Sequence, residues 1–249
     1  MILKKVFYFS LCFIFSISSW AETINVASIN WAPFYGKELK KDGVVSEIAR
    51  QALKRAGHTL KFHYMPWKRA MSQTAKGKKY HALFGCWHSK EREKKFLFSK
   101  ETMLDGSPHF LAGKDSKLSI SKPSDLNGLT IGILRGYAVS PSLKNLFESN
   151  KSKRFNVNNQ KSFFKLIKKK RVDLVLENMF VVQDTFKKKF PGQTFNLKKV
   201  GSDFFNGNLY ICWSKKYKNI KQVADSFDNH LKAMKADGGI DKIKKEFDF

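Results

Sequence analysis

The apolar residues of this chain fall into short strand-like runs separated by stretches of helical spacing, and that alternation restricts the fold to a layered α/β sheet. Ile24 to Ile29 reads as a buried strand, followed by the loop Asn30 to Tyr35. In the helix beyond it, Val45, Ile48, Ala49, Ala52, Leu53 and Ala56 share one face until Gly57 ends it. Leu60 to Tyr64 is the next strand, Pro66 and Trp67 head a second helix, and a basic tail at 76–79 leads into the strand His81 to Gly85. Strands joined through helices run parallel, so a mostly parallel sheet is expected.

A like unit follows. Leu129 to Leu134 is a strand, residues 135–142 a turn holding Gly136, and 142–147 a helix. Phe163, Phe164, Leu166 and Ile167 mark a further helix, which ends in the basic run 168–171 before the strand Val172 to Leu176. The similarity of the two basic-tail-and-strand passages suggests two lobes built alike, with no repeat at a fixed period. The apolar strand entering Gly113 lies between the lobes, and after Phe195 to Val200 the strand Leu209 to Trp213 returns. Two crossings make a hinge with a cleft. At the carboxyl end Val223, Phe227, Leu231 and Met234 lie on one helical face, Gly238 and Gly239 break it, and Ile240, Ile243 and Phe247 face inward on a second helix. These helices should pack on the first lobe, which is then discontinuous: 22–111 and 204–249, with 112–203 as the second lobe.

The first 21 residues have the features of a secretory leader: Lys4 and Lys5, an apolar run from Val6 to Ile17, and small residues at Ser19 and Ala21. The run is shorter than the roughly 20 residues of a membrane span, so cleavage after Ala21 is expected. Cys12 lacks a lipoprotein context. The remaining 228 residues suffice for two lobes that bury about 70% of their unfolded surface. A mature chain outside the cytoplasm, most simply in a periplasm and without stable membrane insertion, is the expectation.

The formal charge of the whole chain is +26, and the leader's two lysines reduce it to +24. The excess is spread through helical segments such as Lys165 to Lys170 and Lys187 to Lys189, where it solvates outer faces; with secretion, this argues against nucleic acid as a partner. Cys86 and Cys212 each end an apolar run; an oxidising compartment permits a disulfide, but sequence separation leaves the pairing open. His58, His63, His81, His88, His109 and His230 show no paired ligand spacing, and neither metal nor cofactor is expected.

Chemistry concentrates between Tyr80 and Ser99, where an apolar strand runs into a turn and Arg92 stands beyond it. A guanidinium offers a rigid fork of donors that matches a carboxylate or phosphate, and open α/β sheets bind ligands at the carboxyl ends of their strands. No nucleophile and base occur at useful spacing.

The stretches NWAPFY, FGCWHSKEREKKFLFS, DLNGLTIGILRG, VDLVLEN and LKAMKADGGIDKIKKEF, in this order, resemble family 3 of the bacterial periplasmic solute-binding proteins, which includes the polar amino-acid receptors of ABC importers. The resemblance covers essentially the whole chain after the leader. It implies the type II periplasmic-binding-protein fold, two α/β lobes on two crossing strands, closing on a small solute that is passed to an importer permease, with the chain expected to act as a monomer. It further implies that Arg92, in Ser89-Lys90-Glu91-Arg92, holds a ligand carboxylate. Gly85, Trp87, Trp31 and Trp67 line the pocket, and Arg69 turns to the same cleft.

The departures concern the second lobe. Where amino-acid receptors have a hydroxyl residue after the turn glycine, this chain has Tyr137 and Ala138; where they place an aspartate for the ligand's ammonium, it has Asn178, with Glu177 beside it. Either Glu177 substitutes or the ligand is not a standard α-amino acid. Donors at Gly136 to Ser140 would still favour an anionic end. Competing readings are a dehydratase acting on cyclic acids, with Glu177 as the acid, and a ligand-binding module that serves signalling.

Overall fold

The structure is a computed structural model and describes residues 22–204 and 206–249. The expected leader, with Cys12, lies outside the described residues. Two five-stranded sheets form the frame. The first contains β1 (Thr23–Ser28), β2 (Thr59–Tyr64), β3 (Ala82–Cys86) and β4 (Phe96–Phe98), interleaved with α1 (Val44–Arg55), α2 (Trp67–Ala75) and the short α3 (Lys90–Glu93). The second contains β5 (His109–Gly113), β6 (Thr130–Leu134), β7 (Lys153–Val157), β8 (Leu174–Glu177) and β9 (Leu197–Ser202), with α4 (Pro141–Glu148), α5 (Lys161–Lys168) and α6 (Met179–Lys189). The chain then returns through β10 (Tyr210–Ser214) to the first sheet and ends in α7 (Ile220–Ala236) and α8 (Gly239–Glu246).

Strand order is β2-β1-β3-β10-β4 in the first sheet and β7-β6-β8-β5-β9 in the second. Both sheets are mixed rather than mostly parallel. In each, the strands joined through helices pair in parallel about a central strand, β1 or β6. The strands that carry the chain between lobes, β5 and β10, enter antiparallel, as does β9. The sequence reading of helical crossovers accounts for the parallel pairs; it had no signal for the three-residue β4 or for β7, whose Lys153, Asn156 and Phe155 leave it mostly exposed.

Strand β5 is hydrogen-bonded on both sides within the second sheet, so residues 109–111 belong with it and not with the first lobe. The crossings lie just before, at 99–108, and at 203–204 and 206–209. They run side by side: Met103 N donates to Leu209 O at 3.0 Å, Leu209 N to Leu104 O at 2.9 Å, and Asp105 bridges Asn208. The terminal helices pack on the first lobe as expected, α7 against α1 and β10 and α8 against α1.

Alternation along β5 and β8 separates two apolar layers. Phe110, Leu174 and Leu176 join the main cluster, whereas Leu111 and Val175 pack with Phe163, Leu166 and Val182 beneath α5 and α6. Cys86 and Cys212 form a disulfide between β3 and β10, with Cα atoms 6.6 Å apart.

Candidate functional site

A cavity lies between the lobes at the carboxyl ends of β1 and β3, lined by Ile29, Trp31, Tyr35, Trp67, Gly85, Trp87, Arg92 and Tyr137. Each side chain is placed by a local device. Trp31 and Tyr35 face one another across a tight loop with a cis Ala32–Pro33 bond, closed by Trp31 N donating to Tyr35 O at 2.7 Å. Gly85 has φ +68°, open to glycine, and a Cβ there would lie 2.5 Å from the Tyr35 ring; the Tyr35 hydroxyl instead donates to Gly85 O at 3.0 Å. Trp67 opens α2, and Arg92 sits in α3, capped by the Ser89 side chain that accepts from Arg92 N.

Arg92 is 7% exposed. Its Nη1 donates to Trp87 O, its Nη2 to Gly136 O across the cleft at 3.1 Å, and its guanidinium lies over the Trp67 ring at 5.4 Å. Burial lowers its pKa to about 10. Among the described residues no carboxylate comes within ion-pair distance of it; its hydrogen-bond partners are neutral carbonyls. A charge-assisted acceptor would bind this fork more strongly than carbonyls do.

The opposite wall is Tyr137, stacked edge-on to Trp87 at 4.8 Å and to Trp67 at 6.4 Å. Its hydroxyl donates to Glu177 Oε2 at 3.0 Å, and Trp31 Nε1, from the first lobe, donates to Glu177 Oε1 at 3.0 Å. Trp67 Nε1 reaches Gly136 O at 3.2 Å. The lobes are thus hydrogen-bonded together, and the rings leave a space of about 10 Å³. Glu177 is fully buried, which raises its pKa to about 7 despite the donors around it.

Of the residues expected at the site, Arg92, Trp31, Trp67, Trp87, Gly85 and Tyr137 meet at the cavity, with Glu177 hydrogen-bonded behind Trp31 and Tyr137. Asn178 does not line it: its Oδ1 caps α6 by accepting from Phe180 N, and its Nδ2 donates to Ser107 O in the hinge. Arg69 is on the solvent side of α2; α2 turns Trp67 and Ala70 inward, and Arg69, two residues after the first and one before the second, points away. The expected donors at 136–140 are also spoken for. Gly136 presents its carbonyl, and Ser140 N and Oγ both donate to Asp203, so this helix start already has its anion. Tyr35 was missed; the density of aromatics in NWAPFY was its only sequence signal.

The pattern of the bacterial extracellular solute-binding proteins, family 3, matches residues 24–249. The chain belongs to this family. No curated protein matches it. Among solved structures it is similar to an ancestral arginine-binding protein bound to arginine, at 23% identity and TM-score 0.72, covering 90% of this chain and 97% of that one. It is similar to the amino acid ABC transporter substrate-binding protein AbpA from Streptococcus pneumoniae bound to L-arginine, at 19% and 0.70, covering 90% and 94%. A third is the ancestral amino acid-binding protein AncCDT-1, a precursor of cyclohexadienyl dehydratase, at 20% and 0.67, again covering 90% and 94%. At these identities the likeness is one of fold, the type II periplasmic-binding-protein architecture. Among the described residues no helix of this family member is long and apolar enough to cross a membrane.

Proposed function

We propose that this chain is a periplasmic receptor that closes its two lobes on a small acidic solute and delivers it to an ABC-type importer. The observation that carries the reading is Arg92: a buried guanidinium between aromatic walls, bonded to backbone carbonyls from both lobes and with no carboxylate of the described residues within ion-pair distance. The solute's acid group takes the place of a carbonyl on the Arg92 fork, and its body displaces or packs against Trp31, Tyr35, Trp67, Trp87 and Tyr137. Family membership supports solute binding, and the importer reading is supported by what AbpA is. The chain works without catalysis in this reading, since Glu177 is hydrogen-bonded behind the wall and does not line the cavity.

A thermal-shift screen over amino acids, organic acids and small amines tests it. A ligand at 100 times its Kd stabilises the fold by about 2.7 kcal/mol. By calorimetry, Arg92→Ala is expected to lose about 1.5–3 kcal/mol of affinity for that ligand; unchanged affinity removes Arg92 from the site.

A further inference from the structure

We infer that the cleft is built for a monocarboxylate with an apolar body and no ammonium group. The inference rests on the solute-receptor reading above and names the solute class for the same site. Among the described lining residues Arg92 is the only charged side chain. The two groups that could receive an ammonium are already engaged. Glu177 is fully buried; its Oε1 accepts from Trp31 Nε1 at 3.0 Å and from its neighbour Asn178 N at 2.9 Å, and its Oε2 accepts from the Tyr137 hydroxyl at 3.0 Å. Asn178 is committed at both ends, to the α6 cap and to Ser107 O.

Three carbonyls at the cavity already hold donors. Gly85 O holds the Tyr35 hydroxyl, Trp87 O holds Arg92, and Gly136 O holds both Arg92 and Trp67. An ammonium entering here would give up its water for, at most, the remaining lone pairs of carbonyls that already hold donors, next to a guanidinium of the same sign. Aromatic faces attract cations, but the Trp67 face is taken by Arg92 itself, 5.4 Å away. A carboxylate faces the opposite balance: an unpaired cation awaits it, and five aromatic rings await an apolar body. In Glu177 the acid is turned from ligand capture to fastening Trp31 of one lobe to Tyr137 of the other.

The test is calorimetry on the full mature chain with matched pairs: propionate against alanine, 4-methylpentanoate against leucine, 3-phenylpropionate against phenylalanine. The amine-free acid is expected to bind at least tenfold tighter within at least one pair, and Arg92→Ala to abolish that preference. Tyr137→Phe frees Glu177 Oε2, so this variant should narrow the ratio several-fold in favour of the amino acid. Amino acids that bind equally well or better, in an Arg92-dependent manner, overturn the inference and leave the receptor reading standing. If neither set binds, or if only amines bind regardless of Arg92, both fall.

Discussion

Two residues at the cleft, Gly85 in its wall and Glu177 behind it, carry costs that the rest of the fold offsets, and each can be measured. At Gly85 a side chain meets both a left-handed backbone, φ +68°, and the Tyr35 ring 2.5 Å from the added Cβ. Gly85→Ala is expected to destabilise by about 2–4 kcal/mol in urea unfolding, the sum of backbone strain and overpacking. Glu177 has a folded pKa of about 7 against an ordinary value of 4.5, raised by burial. A raised acid holds its proton longer folded than unfolded, so its contribution is complete below about pH 4.5 and is lost as pH rises towards 7. Over that window the loss is on the order of 3 kcal/mol. Asp203 and Asp228 are also raised by burial, so the measurement is a difference: wild type minus Glu177→Gln stability by denaturant at pH 4.5, 6 and 7.5. A pH-independent difference would remove Glu177 as the source.

At the scale of elements, α6 shows how one position can serve the frame instead of the ligand. Asn178 ends β8, caps α6 through Phe180 N and ties Ser107 in the crossing segment to the second sheet. Asn178→Ala is expected to cost about 1–2 kcal/mol by denaturant, with no loss of ligand affinity beyond that caused by a loosened hinge; a tenfold affinity loss with stability intact would return Asn178 to the site. This position also marks the boundary of what the sequence could tell. Period and turn residues revealed β1, β2, β3, β6 and β8 and the terminal helices, because their apolar faces are buried. Arg92 and the tryptophans were legible because their residue types suit few other roles at a strand's end. Whether Asn178 faced the cleft or capped a helix depended on a side-chain rotamer, and whether Arg69 turned inward depended on one residue of helical phase; neither is encoded locally. Strand β5 was placed between lobes because its apolar run carries no mark of which sheet it joins.

For the molecule as a whole, the Cys86–Cys212 disulfide fixes β3 to the returning strand β10 at the base of the hinge. It closes a loop with a sequence separation of 126, so removing it frees the unfolded chain considerably. Replacement of both cysteines by serine is expected to cost about 2–5 kcal/mol, read from the shift in urea midpoint between oxidised wild type and variant. Without the two leader lysines the charge of +26 becomes +24; carried on exposed side chains, it should leave the closed state sensitive to salt only weakly, since exposed charges are screened beyond about 10 Å at 0.1 M.

The pairing of His109 with Ser202 in adjacent strands, beside the contact of Asp203 N with Pro108 O, means that the second lobe leaves the first and returns to it at almost one point. In topological terms it is a guest inserted into a host at a single site. The guest from 109 to 202 has neighbouring ends that a short turn could join, and the host could be sealed in the same way. Such an insertion lets the second-lobe side of the cavity, with Tyr137 in its lining and Glu177 behind it, change by exchange of one contiguous stretch of chain, while Arg92, the four first-lobe aromatics and the disulfide remain as they are.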